Sequence, residues 1–283
     1  MDLVSPNFSD MMEPNIEIKE FPDGDSYVRV ENISACKGKE VRLFHRLYPD
    51  QNSNIFTALL MLDTLKRAGA KTTLVSPYLP YSRQDKVFKE GEALSAEAVC
   101  SMLAHAGAKE LVTLDCHFLK KEGESEYGGL KIKNISANKL LVEHARSKLG
   151  GEAMEVISPD QGAAYLVTAF GGKSMKKLRG EYEEGTEAYR KIEKMEREFD
   201  VEGKNVLIID DMISTGSTMI KAVGNVRNGG AKKVLCAATH GFFMKGSLDK
   251  LKEVTDGVFT TNSIPNPAAE VDFMRLFKEK GLA

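Results

Sequence analysis

Residues 206–218 read VLIIDDMISTGST and hold the chain's densest set of groups able to do chemistry. Four apolar residues make a buried strand, and Asp210 and Asp211 follow at its carboxyl end. Adjacent carboxylates at the mouth of such a strand repel one another unless something occupies them. Both are suited to accept hydrogen bonds from the vicinal hydroxyls of a sugar, directly or through a metal's water shell. Ser214, Thr215, Gly216, Ser217 and Thr218 then turn into a helix. They can present hydroxyls and successive backbone N–H groups to a phosphate, with the helix N-terminus behind them. The bland alternative is a capped helix after a strand that merely ends in acids.

Three other places invite chemistry. Arg83 and Lys86 follow the apolar run TTLVSPY, in a loop with Gln84 and Asp85. A guanidinium fork matches phosphate oxygens, although an internal Arg–Asp pair would use the same residues. His117 ends the run LVTLDCH; it reads either as a core histidine or as a metal or phosphate contact. Asp115 and Asp160, also at strand ends, share that ambiguity. Residues 173–199, KSMKKLRGEYEEGTEAYRKIEKMEREF, carry far more charge than their flanks, with Ile192, Met195 and Phe199 at helical spacing. They read as a solvated surface excursion or as a mobile loop closing over an anionic ligand.

The elements that must position these residues repeat one grammar. A helical pattern breaks at Gly69-Ala70-Lys71, at Gly107-Ala108-Lys109 and at Gly230-Ala231-Lys232, and each break leads into an apolar strand. Glycine just past a helix is the usual left-handed cap, and helices alternating with buried strands imply βαβ units with a mostly parallel sheet. The polar, glycine-rich stretch GESEYGGLKIKN precedes a new helix near Ala137, which predicts a boundary within 123–138. Two similar lobes follow, residues 1–135 and 136–283, each with a mostly parallel sheet flanked by helices. Ligands of open parallel sheets sit beyond the strands' carboxyl ends, so residues directly after apolar runs rank first.

Composition narrows the class. With 42% hydrophobic and 28% charged residues, wholesale disorder is excluded. The net charge of −2, from 39 Lys+Arg against 41 Asp+Glu, provides no field for nucleic acid or an anionic membrane. Cys36, Cys100, Cys116 and Cys236 are scattered, which argues against a disulfide framework or a cysteine-rich zinc site and fits a reducing cytoplasm. No apolar run approaches the roughly 18 residues of a spanning helix.

The acid pair and hydroxyl turn resemble the phosphoribosyl-pyrophosphate loop shared by type I phosphoribosyltransferases and ribose-phosphate pyrophosphokinases. Further segments resemble the pyrophosphokinases: Phe21-Pro22-Asp23-Gly24-Asp25, then Tyr78 to Lys86 (YLPYSRQDK), Leu114-Asp115-Cys116-His117, Ile157 to Gly162 (ISPDQG), Thr239-His240-Gly241 and Thr261 to Pro265 (TNSIP). They stand in the family's order along nearly the whole chain. The resemblance implies a duplicated phosphoribosyltransferase-like α/β fold, the N-terminal lobe on the nucleotide side and the C-terminal lobe on the ribose 5-phosphate side. It implies transfer of the pyrophosphoryl group of ATP to ribose 5-phosphate, giving phosphoribosyl pyrophosphate and AMP. Phe21, Asp23 and Asp25 would then meet the adenine, and Arg83, Gln84, Asp85 and His117 the rest of ATP. Asp160 would join Asp210, Asp211 and the 214–218 turn around ribose 5-phosphate. His117 and Asp160 would ligate Mg²⁺, and Lys177 and Arg179 would close over the transferring group. It also implies a homo-oligomer, at least a dimer and up to a hexamer, with the adenine site shared between subunits.

Three departures mark this chain: a first helix shortened to about residues 9–14, Gly162-Ala163 where the family has two glycines, and a longer, more acidic 173–199 segment. They leave room for a larger 5-substituted ribose such as ADP-ribose as acceptor. A catalytically silent regulatory homologue would have lost loop acids or the Lys-x-Arg pair, and a base-using phosphoribosyltransferase would need no ATP.

Overall fold

A computed structural model describes residues 1–179, 192–196 and 199–282, with the backbone alone for 176–179 and 192–196. The chain divides into two compact units, Met1–Ile135 and Ser136–Ala283.

In the first unit the elements run β1 (Asp2–Val4), β2 (Glu17–Glu20), β3 (Ser26–Arg29), β4 (Glu40–Phe44), α1 (Gln51–Arg67), β5 (Lys71–Val75), α2 (Ser95–Ala106), β6 (Ala108–Leu114), β7 (Gly123–Tyr127) and β8 (Leu130–Ile135). One six-stranded sheet has the order β1-β4-β5-β6-β8-β7, parallel except for the β7–β8 pair. Helix α1 forms because Ile55, Ala58, Met61, Leu62 and Leu65 recur at three- and four-residue intervals and bury one apolar stripe. The hairpin β2–β3 lies outside the sheet, with Ile18 and Val28 packed on the core.

The stretch GESEYGGLKIKN, which precedes the division between the units, is the β7–β8 hairpin at the sheet edge. Tyr127 pairs with Leu130 across Gly128-Gly129, whose φ values of 58° and 75° suit a two-residue hairpin turn. The glycines of that stretch serve the turn. One expectation fails: residues 9–14 hold turns and bends rather than a short helix, and a 3-10 turn at Pro6–Phe8 precedes them.

The second unit runs α3 (Asn138–Lys148), β9 (Met154–Ser158), β10 (Lys173–Ser174), β11 (Lys176–Arg179), β12 (Ile192–Glu196), β13 (Asn205–Ile213), α4 (Ser217–Asn228), β14 (Lys233–Gly241), α5 (Ser247–Val254), β15 (Gly257–Thr261), β16 (Ala269–Val271) and α6 (Met274–Glu279). Its sheet has the order β10-β9-β13-β14-β15-β16, and every described pairing in it is parallel. Strand β13 is central and buried over nearly its whole length, as the apolar run from Val206 to Ile209 requires, but it does not stop there: Asp210 and Asp211, expected at its carboxyl end, lie within it, because pairing with β14 carries the strand on to Ile213. Both units are therefore α/β with mostly parallel sheets flanked by helices.

Strands β11 and β12 form a separate antiparallel ladder, Lys177 opposite Met195 and Arg179 opposite Ile192. The helical spacing of Ile192, Met195 and Phe199 misleads because β11 supplies the hydrogen-bonding partner that keeps 192–196 extended. Phe199 packs on the core beside the Lys173 ammonium, 5.6 Å from its ring centroid. Among the described residues no helix is long and apolar enough to cross a membrane.

Candidate functional site

In the second unit, β9 and β13 pair in parallel with Ile157 opposite Ile208, and β13 runs on to Ile213 after β9 has ended at Ser158. Asp160 follows β9 in extended conformation and caps the 3-10 turn Gln161–Leu166, its carboxylate accepting from Ala163 N–H at 3.3 Å. Asp210 is half-buried and Asp211 buried, and the Asp211 N–H donates to Asp210 Oδ1 at 2.9 Å. Burial first, then the charges of Asp211 and Asp160, hold the Asp210 carboxyl well above the usual carboxylate range. A hydrogen bond between the Asp210 and Asp211 side chains favours the protonated form further. The fold thus draws together carboxyl groups from within β13 and from the turn after β9. Such a group is chemically suited to accept from hydroxyls or to sit beside a cation that relieves the repulsion.

The turn after β13 carries Ser214 and Thr218 half-buried, Thr215 and Ser217 exposed, and Gly216 buried. Gly216 is the residue preceding α4 and stands at φ 73°, with no side-chain cap on the helix. The first N–H groups of a helix have no acceptor within it, so they are available to an anion. A Cβ at Gly216 would sit 3.0 Å from Ser247 Cβ, so the close approach of α5 also calls for glycine here.

The candidates of the first unit fall at the ends of its elements. Phe21, Asp23 and Asp25 form the tip of the β2–β3 hairpin. Phe21 N–H donates to the Asp25 carbonyl at 2.8 Å, and Asp25 N–H donates to Asp23 Oδ1 at 3.2 Å. The Phe21 ring is half exposed and meets Tyr27 edge-on at 5.9 Å. Arg83, Gln84 and Asp85 lie in the loop between β5 and α2. Gln84 is committed to the start of that helix: its Oε1 accepts from Ser95 Oγ at 2.7 Å and its carbonyl from Ala96 N–H at 3.1 Å. The Asp85 carbonyl accepts from Tyr127 Oη at 3.2 Å.

His117 is half-buried on the turn after β6, and its carbonyl accepts from Lys120 Nζ at 2.8 Å. Asn134 on β8 fastens that turn at two points: its Oδ1 accepts from Cys116 N–H at 2.8 Å and its Nδ2 donates to the Lys121 carbonyl at 2.9 Å. Sequence reasoning missed Asn134. Its signal was a buried polar residue interrupting the alternation LKIKNI. Lys177 and Arg179 lie on β11, and their side chains are outside the described residues.

Paired acids within the central strand of an open parallel sheet, and a hydroxyl turn after it, define an α/β protein of the phosphoribosyl-binding class. Residues 9–107 match the N-terminal domain of ribose phosphate pyrophosphokinase, and residues 138–277 match the phosphoribosyl transferase domain. The ribose-phosphate pyrophosphokinase of Pyrococcus furiosus is 38% identical over 92% of this chain and 90% of its own length. That of Sulfurisphaera tokodaii is 36% identical, over 90% of this chain and 87% of its own. Among solved structures, the phosphoribosylpyrophosphate synthetase of Mycobacterium smegmatis superposes with a TM-score of 0.80 at 26% identity, covering 100% of this chain and 97% of that one. The chain belongs to the ribose-phosphate pyrophosphokinase family.

Proposed function

We propose that this chain transfers the β,γ-pyrophosphoryl group of ATP to the anomeric hydroxyl of ribose 5-phosphate, releasing phosphoribosyl pyrophosphate and AMP. The observation that carries the reading is the placement of Asp210 and Asp211 on β13 just before the 214–218 turn, with Asp160 following the paired strand β9, in a chain matched along both halves by the family. Asp210 and Asp211 accept from the 2- and 3-hydroxyls of the sugar, and Ser214, Thr215, Gly216, Ser217 and Thr218 surround its 5-phosphate. Held there, the anomeric oxygen is free to attack the β-phosphorus as AMP departs. Phe21, Asp23 and Asp25 serve the adenine, and Arg83, Gln84, Asp85 and His117 the remainder of ATP. Lys177 and Arg179 are the cations that cover the transferring group; stabilising its charge needs no proton transfer. Positioning supplies most of the remaining acceleration.

Among the described residues no three His, Cys, Asp or Glu side chains form a metal cage. A carboxylate and an imidazole nonetheless suit a cation such as Mg²⁺, which keeps waters and substrate phosphate oxygens as most of its ligands. His117 and Asp160 are the protein ligands proposed for it, and when bound it neutralises phosphate charge. The half-exposed Phe21 at a hairpin tip supports an adenine site completed between subunits of a homo-oligomer. The cytoplasm is the proposed compartment, because the four cysteines are buried and among the described residues none forms a disulfide.

Phosphorus NMR of the protein with ATP, Mg²⁺ and ribose 5-phosphate tests the reading. AMP and a new sugar-bound diphosphate are expected. Formation of ADP, or turnover of ATP without the sugar, would overturn it.

A further inference from the structure

The loop from Phe242 to Ser247, between β14 and α5, has no part in the chemistry above, yet it holds the chain at Ile213 and Ser214, where the phosphate turn begins. Phe242 and Phe243 N–H donate to the Ile213 carbonyl at 2.9 and 3.3 Å. Met244 N–H donates to the Ser214 carbonyl at 2.9 Å, and Ser247 Oγ donates to the same oxygen at 3.0 Å. Ser247 is fully buried, so its hydroxyl is committed to that bond, while its Cβ backs the Gly216 backbone. Phe243 and Lys245 stand at φ 47° and 56°, a region non-glycine residues seldom occupy unless their surroundings hold them there.

A trans peptide is planar, with its C=O and the next N–H pointing in opposite directions. Fastening the carbonyls of Ile213 and Ser214 to this loop therefore turns the N–H groups of Ser214 and Thr215 the other way, out from the loop. We infer that residues 242–247 are an aiming brace for the anion-binding turn and that Ser247 is a positioning residue for ribose 5-phosphate. The brace touches no reacting atom. It sets the direction of two donors before the sugar phosphate arrives, so binding need not order them. This inference rests on the proposed reading of the 214–218 turn as the 5-phosphate site.

The test is calorimetric titration of the full-length protein with ribose 5-phosphate, ATP absent, for the wild type and for Ser247→Ala and Ser247→Cys. Loss of one hydrogen bond to the carbonyl should weaken Ser247→Ala about five- to tenfold. Ser247→Cys, with a poor donor of similar shape, should fall between. The KM for ATP should stay at the wild-type value. Amide hydrogen exchange should quicken in peptides covering 212–218 and remain unchanged in those covering α3. Equal affinity across the three proteins, or an equal loss toward ATP and sugar with exchange raised throughout, would overturn the brace. Absence of ribose 5-phosphate binding by the wild type would instead remove the proposed function, and the brace with it.

Discussion

Gly216→Ala is the most direct probe of the turn on which the sugar-phosphate reading depends. Two costs can be worked from the structure. The φ of 73° places alanine in the left-handed region, about 1–2 kcal/mol above its right-handed alternatives. The added methyl would lie 3.0 Å from Ser247 Cβ and 3.5 Å from Leu251 Cδ1. The first contact is tighter than packing tolerates, and both partners are buried on α5. Overpacking of this kind costs about 1 kcal/mol or more. Together the two come to about 2–3 kcal/mol, or a fall in Tm of about 5–10 °C for a unit of this size. Relief of the contact moves the turn by tenths of an ångström, which should raise the KM for ribose 5-phosphate at least tenfold and leave that for ATP near its wild-type value. Calorimetric melting with parallel kinetics measures both. In a Ser247→Gly background the packing part, about 1 kcal/mol, should be recovered as a coupling energy, while the backbone part persists. Wild-type stability and sugar affinity in Gly216→Ala would refute both the geometry and the role given to the turn.

Asp211→Ala should raise the KM for ribose 5-phosphate and lower kcat, with about 10²-fold or more lost in kcat/KM, because a buried acceptor is removed from the sugar's hydroxyls. Steady-state kinetics decides it. Asp210→Asn should stabilise the ligand-free protein. The Asp210 carboxyl is raised above its ordinary value of 3.8, so its favourable contribution is complete below that value and is lost as pH climbs through the folded-state value. The Tm difference between variant and wild type should therefore be near zero at about pH 3 and grow toward neutrality; a pH-independent difference would contradict the crowding of the three acids. Asn134→Ala leaves the buried Cys116 N–H without its acceptor and should cost about 1–3 kcal/mol in a denaturant melt, with a raised KM for ATP through the loosened His117 turn. Phe21→Ala should weaken ATP about ten- to hundredfold, by analogy with base stacking on aromatics. Mixing its chains with inactive Arg83→Ala chains should restore part of the activity, and no rescue despite proven subunit exchange would place each adenine pocket within one chain.

How far the residues alone carried this protein depended on the range of the forces involved. The first half of strand β13 was legible because a run buried on both faces must be apolar, whereas its continuation through the acids to Ile213 was not. Helices α1, α2 and α4 were legible from apolar spacing, and the glycine after each marks its end. These are local matters of period, solvation and backbone freedom, settled within about ten residues. Where partners come from afar, composition misled. Residues 123–135 became a hairpin because β6 offered β8 a free edge, and 192–196 became a strand because β11 lay alongside. The same divide runs through the site. Asp210, Asp211 and the hydroxyl turn stand together in sequence, but Asp160 reaches them only because β9 pairs with β13. Asn134 and Ser247 were invisible as site residues, since each acts through a backbone group more than a dozen positions away. Sequence determined which groups could do the chemistry, because that follows from side-chain type. Tertiary structure alone decided which way the turn's N–H groups face and how closely the carboxyls crowd, because direction and distance arise only when remote strands pair.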